Sequence, residues 1–201
     1  RLRRFARQGA ATELDLDHTS ERTARNAGLL DLAFRPERHN AVKVLLLLDV
    51  GGSMDEYSRL CSELFAAARS EFRHLEFFYF HNCVYDHLWT DNRRRHTART
   101  LTLDVLHRCN ADWRLVFVGD AAMSPYELLR PSGAIDHVNE DSGADWLRRL
   151  VGVYERSVWL NPAPEPAWRH YHNIDVVRDI LGGRMFPLTL DGLDGAMRAL
   201  V

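Results

Sequence analysis

Two patterns divide the chain. Up to about residue 40 the sequence is polar and arginine-rich, and beyond residue 42 buried-looking strands alternate with helical stretches. Within the arginine-rich stretch a helix is expected near Asp17–Ala27, with Thr19 or Asp17 as its cap. "LLDLAF", residues 29–34, alternates like a strand, and "RPERHN" after it reads as a turn. "VKVLLLLD", ending at Asp49, is almost continuously apolar, as in a central strand covered on both faces. Residues 57–72 place Leu60, Leu64, Phe65, Ala68 and Phe72 at helical spacing. Residues 74–82 and 83–90 read as two strands joined so tightly that they should be antiparallel neighbours.

"DNRRRHTAR", 91–99, is a basic loop, and 100–109 reads as a helix capped by Thr100. "WRLVFVGD", 113–120, is a second buried strand ending in an aspartate. Ser124 and Pro125 open a short helix. A helix at 144–154, a strand at 156–162, an exposed "APEPAW" connection and helices at 173–181 and 191–201 around "MFPLTL" complete the pattern. Strands separated by helices predict an α/β fold, with a mostly parallel sheet and helices on both faces. Ligands in such sheets sit beyond the carboxyl ends of the strands. That rule selects Asp49, Gly51 and Ser53 after the first core strand, and His81 and Asn82 after the second. It also selects Asp120 and Asn161, with Glu127 as a further rim residue.

Composition changes this picture little. A net charge of −2 over 201 residues gives no global pull toward nucleic acid or an acidic membrane, and neither is expected as a partner. Lys43 is the only lysine, so the positive charge is nearly all arginine. Three widely spaced cysteines form no disulfide framework, which fits a reducing, cytoplasmic setting. No stretch reads as a signal peptide or a membrane span. The opening Arg-Leu-Arg-Arg, without Met, suggests a piece of a longer protein.

The chemistry lies at the strand ends. Asp49, Ser53, Thr100 and Asp120 form an all-oxygen set, which suits a hard divalent cation. Asp49-Val-Gly-Gly-Ser53-Met, then Thr100 in "RTLTLDVL", then Asp120 in "FVGDAAM", resembles the D-x-S-x-S…T…D metal-ion-dependent adhesion site (MIDAS) of von Willebrand factor A (VWA) domains. Thr102 is the fallback for Thr100. The resemblance covers roughly residues 40–201, leaving 1–40 as an N-terminal extension or linker and 41–201 as the VWA domain. "FYFHNCVY", "WTDNRRR", "FVGDAAMSPYE" and "GRMFPLTLDGL" narrow it to the bacterial CoxE-like group. It implies a Rossmann-like VWA fold with one antiparallel edge strand. It also implies Mg²⁺ or Mn²⁺ at the site and no bond-making chemistry. The partner implied is a protein offering an acidic residue, such as a MoxR-type AAA+ ATPase served by an accessory or assembly factor. Position 51 departs from the motif: glycine replaces the first serine and removes one hydroxyl ligand.

Two other readings share these residues. A metal-dependent hydrolase would use Asp49 as nucleophile or ligand and His81 as proton carrier. A degenerate, metal-free interaction domain would bind through the rim or the arginine loop. No GxxxxGK[ST] phosphate loop is present, and His170 and His172 have no third ligand at matching spacing.

Overall fold

The structure, a computed structural model, describes the backbone of residues 5–26, 30–40, 42–135 and 137–201, with side chains for all of these except 5–14 and 36–40. The first elements are β1 (Phe5–Leu14), α1 (Leu16–Arg25) and β2 (Phe34–Asn40). Helix α1 is capped by Asp15, whose side chain accepts from the His18 N–H. Thr19, expected as a cap, is buried instead, and its hydroxyl oxygen accepts from the Ala33 N–H at 2.9 Å. Ala27 and Leu29, where a helix end and a strand start were expected, lie outside the described residues.

"RPERHN" is strand rather than turn, because β1 supplies an antiparallel partner along it. The register shifts on both sides of Ala11, which pairs with Pro36. Proline, lacking an N–H, is tolerated at such an irregularity. The expected extension of residues 1–40 therefore carries two strands and a helix of its own.

The site is built on the central sheet. Strand β3 (Lys43–Asp49) is followed by a 3-10 turn (Gly52–Tyr57), α2 (Ser58–Glu71) and β4 (His74–Phe80). The short β5 (His87–Leu88) and β6 (Thr100–Leu101) pair with each other, and α3 (Thr102–Arg108) leads to β7 (Arg114–Val118). Then come α4 (Pro125–Leu129), α5 (Gly143–Val153), β8 (Ser157–Asn161), α6 (Glu165–Trp168), α7 (His172–Ile180), β9 (Met185–Pro187) and α8 (Leu190–Ala199). Five parallel strands lie in the order β4-β3-β7-β8-β9.

The side-chain period of two sorts the core. Leu45, Leu47, Leu115 and Phe117 face a cluster with Leu147, Leu150 and Val177 of α5 and α7. Val44, Leu46, Leu48, Val116 and Val118 face α2 and α8. The second face is thinner. No residue of α2 is fully buried, and a groove of about 280 Å³ runs between Leu64, Phe72, Leu193 and Met197.

Two expectations need correction. The strand foreseen at 83–90 shrinks to two residues, and the antiparallel edge survives as the backbone bridge Tyr79–Trp89. The intervening backbone is engaged elsewhere: the Tyr85 and Asp86 carbonyls accept from the Thr102 hydroxyl and the Thr102 N–H. For the same reason Thr100 does not cap α3. It sits in the β5–β6 ladder opposite Leu88, and the cap residue is Leu101, with no side-chain bond. Ser124 and Pro125 do open α4 as expected, in a capping box with Glu127. "APEPAW" contains the single-turn α6 and buries Trp168.

Candidate functional site

The chain leaves β3 for β4 on one side and later places β7 on the other, so the order reverses between β3 and β7. A crevice opens beyond the strand ends at such a point. Asp49 closes β3 in register with Phe80, and Leu48 pairs with Val118, so Asp49 and Asp120 flank this crevice. Both are buried.

Asp49 Oδ1 accepts from the Gly51 N–H at 2.8 Å and the Asn82 N–H at 2.9 Å. Gly119 packs against the same side chain: a Cβ there would lie 2.9 Å from Asp49 Cβ. Burial pushes the Asp49 carboxyl up to about 7. The two backbone amides oppose that shift, the Asp120 charge adds to it and His81 opposes it. A cavity of about 310 Å³ opens beside Asp49, lined by Val50, Met54, Asp55, Ser58 and Cys61 among others.

Each neighbouring strand exit is braced. Asn82 follows β4 with φ of 58°, and its Nδ2 donates to Glu127 Oε1 at 2.9 Å. Glu127, itself buried, accepts through Oε2 from the Ser124 N–H, and Tyr85 donates its hydroxyl to the Glu127 carbonyl. On the other side Asp120 Oδ1 accepts from the Ala122 N–H at 3.0 Å. Asn161 Nδ2 donates to the Asp120 carbonyl, and Trp159 Nε1 donates to the Gly119 carbonyl. Ala121 adopts φ of 54°, a left-handed conformation rare for alanine. Such backbone outliers gather at functional sites.

The structure thus gathers Asp49, Gly51, Asn82, Asp120, Asn161 and Glu127 at one edge. His81 stands beside them, half-buried, and lines a narrow cleft with Glu127, Arg95, His96 and Arg99. Ser53 is exposed on the 3-10 turn that follows Gly51. Thr100 and Thr102 belong to the β5–β6 side, where the Thr102 hydroxyl is committed to Tyr85. His170 and His172 are exposed.

One cluster was missed by reading along the chain. His137 Nε2 lies 2.9 Å from Asp86 Oδ1 and His87 Nδ1 lies 3.0 Å from Asp86 Oδ2. One ligand atom from each residue falls within 4.8 Å of the others, a set able to hold a metal ion. Burial tends to raise the Asp86 carboxyl, but hydrogen bonds from His87 and His137 outweigh it and leave the group below its ordinary value. The available signal was weak: an Asp-His dipeptide occurs in "YDHL" and "IDHV", but also in "LDHT", which is not part of the cluster. Two imidazoles and a carboxylate suit a borderline cation such as Zn²⁺, in contrast to the oxygen-only edge at Asp49.

All three cysteines are free, and no helix among the described residues is long and apolar enough to cross a membrane. Compared with known protein families, residues 1–91 match the one described as "VWA domain containing CoxE-like protein". No curated protein and no solved structure gives a significant match. The matched stretch contains the Asp49 turn and Asn82, and the parallel sheet continues beyond it through β7, β8 and β9. Over residues 1–91, a little under half of its length, the chain is similar to the VWA domain of CoxE-like proteins.

Proposed function

We propose that the edge at Asp49 and Asp120 is a divalent-cation site through which the domain docks an acidic side chain of a partner protein. One observation carries this reading. Two buried carboxylates face one crevice, and among the described residues no arginine or lysine pairs with either. Buried like charges are costly unless compensated, and a hard cation compensates both at once. The residue chemistry fits Mg²⁺ or Mn²⁺: Asp49 and Asp120 would anchor it, largely through water, and the hydroxyl of Ser53, exposed on the adjoining turn, would supply a further oxygen. A bound cation supplies an open coordination position for a carboxylate.

The chain's own residues do the rest. Gly51 and Asn82 hold Asp49 Oδ1 through their N–H groups and leave the rest of the carboxylate to the crevice. Arg95 and Arg99 flank the cleft beside Glu127 and steer an acidic segment toward it. The task is recognition rather than bond-making. The partner class that the family resemblance implies is a MoxR-type AAA+ ATPase, with this chain as its accessory or assembly factor.

The test is capture of that ATPase with and without chelator, by wild type and Asp49→Asn. Capture should require Mg²⁺ and be lost in the variant. Capture indifferent to both chelator and substitution would overturn the reading in favour of metal-free docking.

A further inference from the structure

At position 51, where glycine stands in place of the motif's first serine, the missing side chain has left no empty space. A Cβ built on Gly51 would lie 2.0 Å from Asn82 Oδ1, 3.2 Å from Asn82 Cγ and 3.3 Å from Asp49 Oδ1. A separation of 2.0 Å is little more than a covalent bond, about 1.5 Å for carbon to carbon. The carboxamide oxygen of Asn82 therefore occupies the space in which a serine side chain at position 51 would begin. We infer that Asn82 Oδ1 is the oxygen donor that replaces the missing serine hydroxyl, so that Gly51 and Asn82 together make an exchange of ligand address rather than a loss. This inference rests on the cation reading above.

Three constraints aim that oxygen. Asn82 N–H is tied to Asp49 Oδ1, which fixes the backbone beside the carboxylate. Its φ of 58° suits a short polar side chain or glycine. Its Nδ2 donates to Glu127 Oε1, an acceptor-only carboxylate, so the carboxamide cannot present nitrogen to position 51. Glu127 is held in turn by the Ser124 N–H. A carboxamide oxygen is, like a hydroxyl, a neutral hard donor, and asparagine carbonyls are ordinary ligands of such cations. The exchange therefore leaves the charge of the site unchanged.

The test is titration calorimetry with Mg²⁺ and with Mn²⁺ on the full chain, with a melt in chelator to confirm folding. Asn82→Gly keeps the positive φ and the backbone N–H but removes the oxygen. It should weaken binding by about tenfold or more. Gly51→Ser alone would displace the Asn82 carboxamide from its bond to Glu127 and should also weaken binding. Gly51→Ser combined with Asn82→Gly returns the oxygen to a serine and should recover affinity to within a few fold of wild type. Wild-type affinity in Asn82→Gly, or a double variant no tighter than Asn82→Gly, would overturn the inference. If Asn82→Gly melts below the assay temperature, Gly51→Ser and the double variant read the same contact, and a double variant no tighter than Gly51→Ser would overturn it equally. Asp49→Asn separates the two levels. If wild type binds no more metal than Asp49→Asn does, the cation reading itself falls. If Asp49→Asn abolishes binding while Asn82→Gly leaves it intact, only the role of Asn82 falls.

Discussion

Asp49 ends β3 beneath two backbone amides, with Asp120 as its charged neighbour, whereas Asp86 stands just before β5 between two imidazoles. Asp49 is buried and its carboxyl is pushed up to about 7, while that of Asp86 lies below its ordinary value. The residue type is the same in both. What differs is what the surroundings supply. Near Asp86 the chain supplies hydrogen bonds from two imidazoles, His87 and His137. Near Asp49 the chain supplies chiefly N–H dipoles, which hold the carboxylate in place without neutralising it. A charge left uncompensated by its own fold is a place where something from outside can bind.

Replacing each aspartate by asparagine separates these roles most sharply. Asp49→Asn should abolish Mg²⁺ binding in calorimetry. It should also raise the melting temperature of the chelator-treated protein at pH 8, by about 2–4 °C for each kcal/mol of relieved desolvation. Asp86→Asn should do the opposite. It should destabilise the protein by about 1 kcal/mol, a modest figure because the carboxyl is partly solvent-screened, and leave Mg²⁺ binding intact. A rise in stability for Asp86→Asn would break the comparison.

The pH dependence carries the same opposition with a smaller amplitude. The folded-state value of Asp49 is raised from 3.8 to about 7. Its contribution is therefore present below about 4 and is lost as pH rises toward 7 in metal-free protein. Mg²⁺ should restore stability above that range, with proton release on binding below it. The folded-state value of Asp86 is lowered, so its contribution is present above the ordinary carboxylate range and is lost as pH falls through it. Melting curves from pH 3 to 8 in chelator should lose the first slope in Asp49→Asn and the second in Asp86→Asn. The smallest expected effect is that of His137→Gln, which should change Mg²⁺ affinity at the Asp49 edge by less than about twofold, since the two sites share no ligand. A larger change, read by calorimetry, would join them into one.

The sheet and the Asp49–Asp120 crevice were legible because their signals are local. A continuous apolar run marks a strand buried on both faces, and an aspartate at its end marks the rim. "RPERHN" was misread because its strand character comes from pairing with a distant, polar β1, and a proline within a charged stretch argues against a strand on its own. The Thr100 helix cap failed because the β5 turn claims that backbone first. His137 lies 51 residues from Asp86, and Asn82 lies 33 residues from Asp49, so their meetings are products of the fold. Position 51 reads as a missing hydroxyl because one-dimensional spacing does not record that the Asn82 carboxamide occupies the space beside it.

The near-contact between Gly51 and Asn82 also orders mutational history. A serine entering at position 51 would have to push the asparagine carboxamide off its bond to Glu127, so a path that changes position 82 first, or both together, avoids the clash. On the proposed exchange the two sites would form an epistatic pair, each substitution harmful in one background and neutral in the other. Positions 51 and 82 would then have to be read together, as one character, in judging whether such a domain can hold a cation.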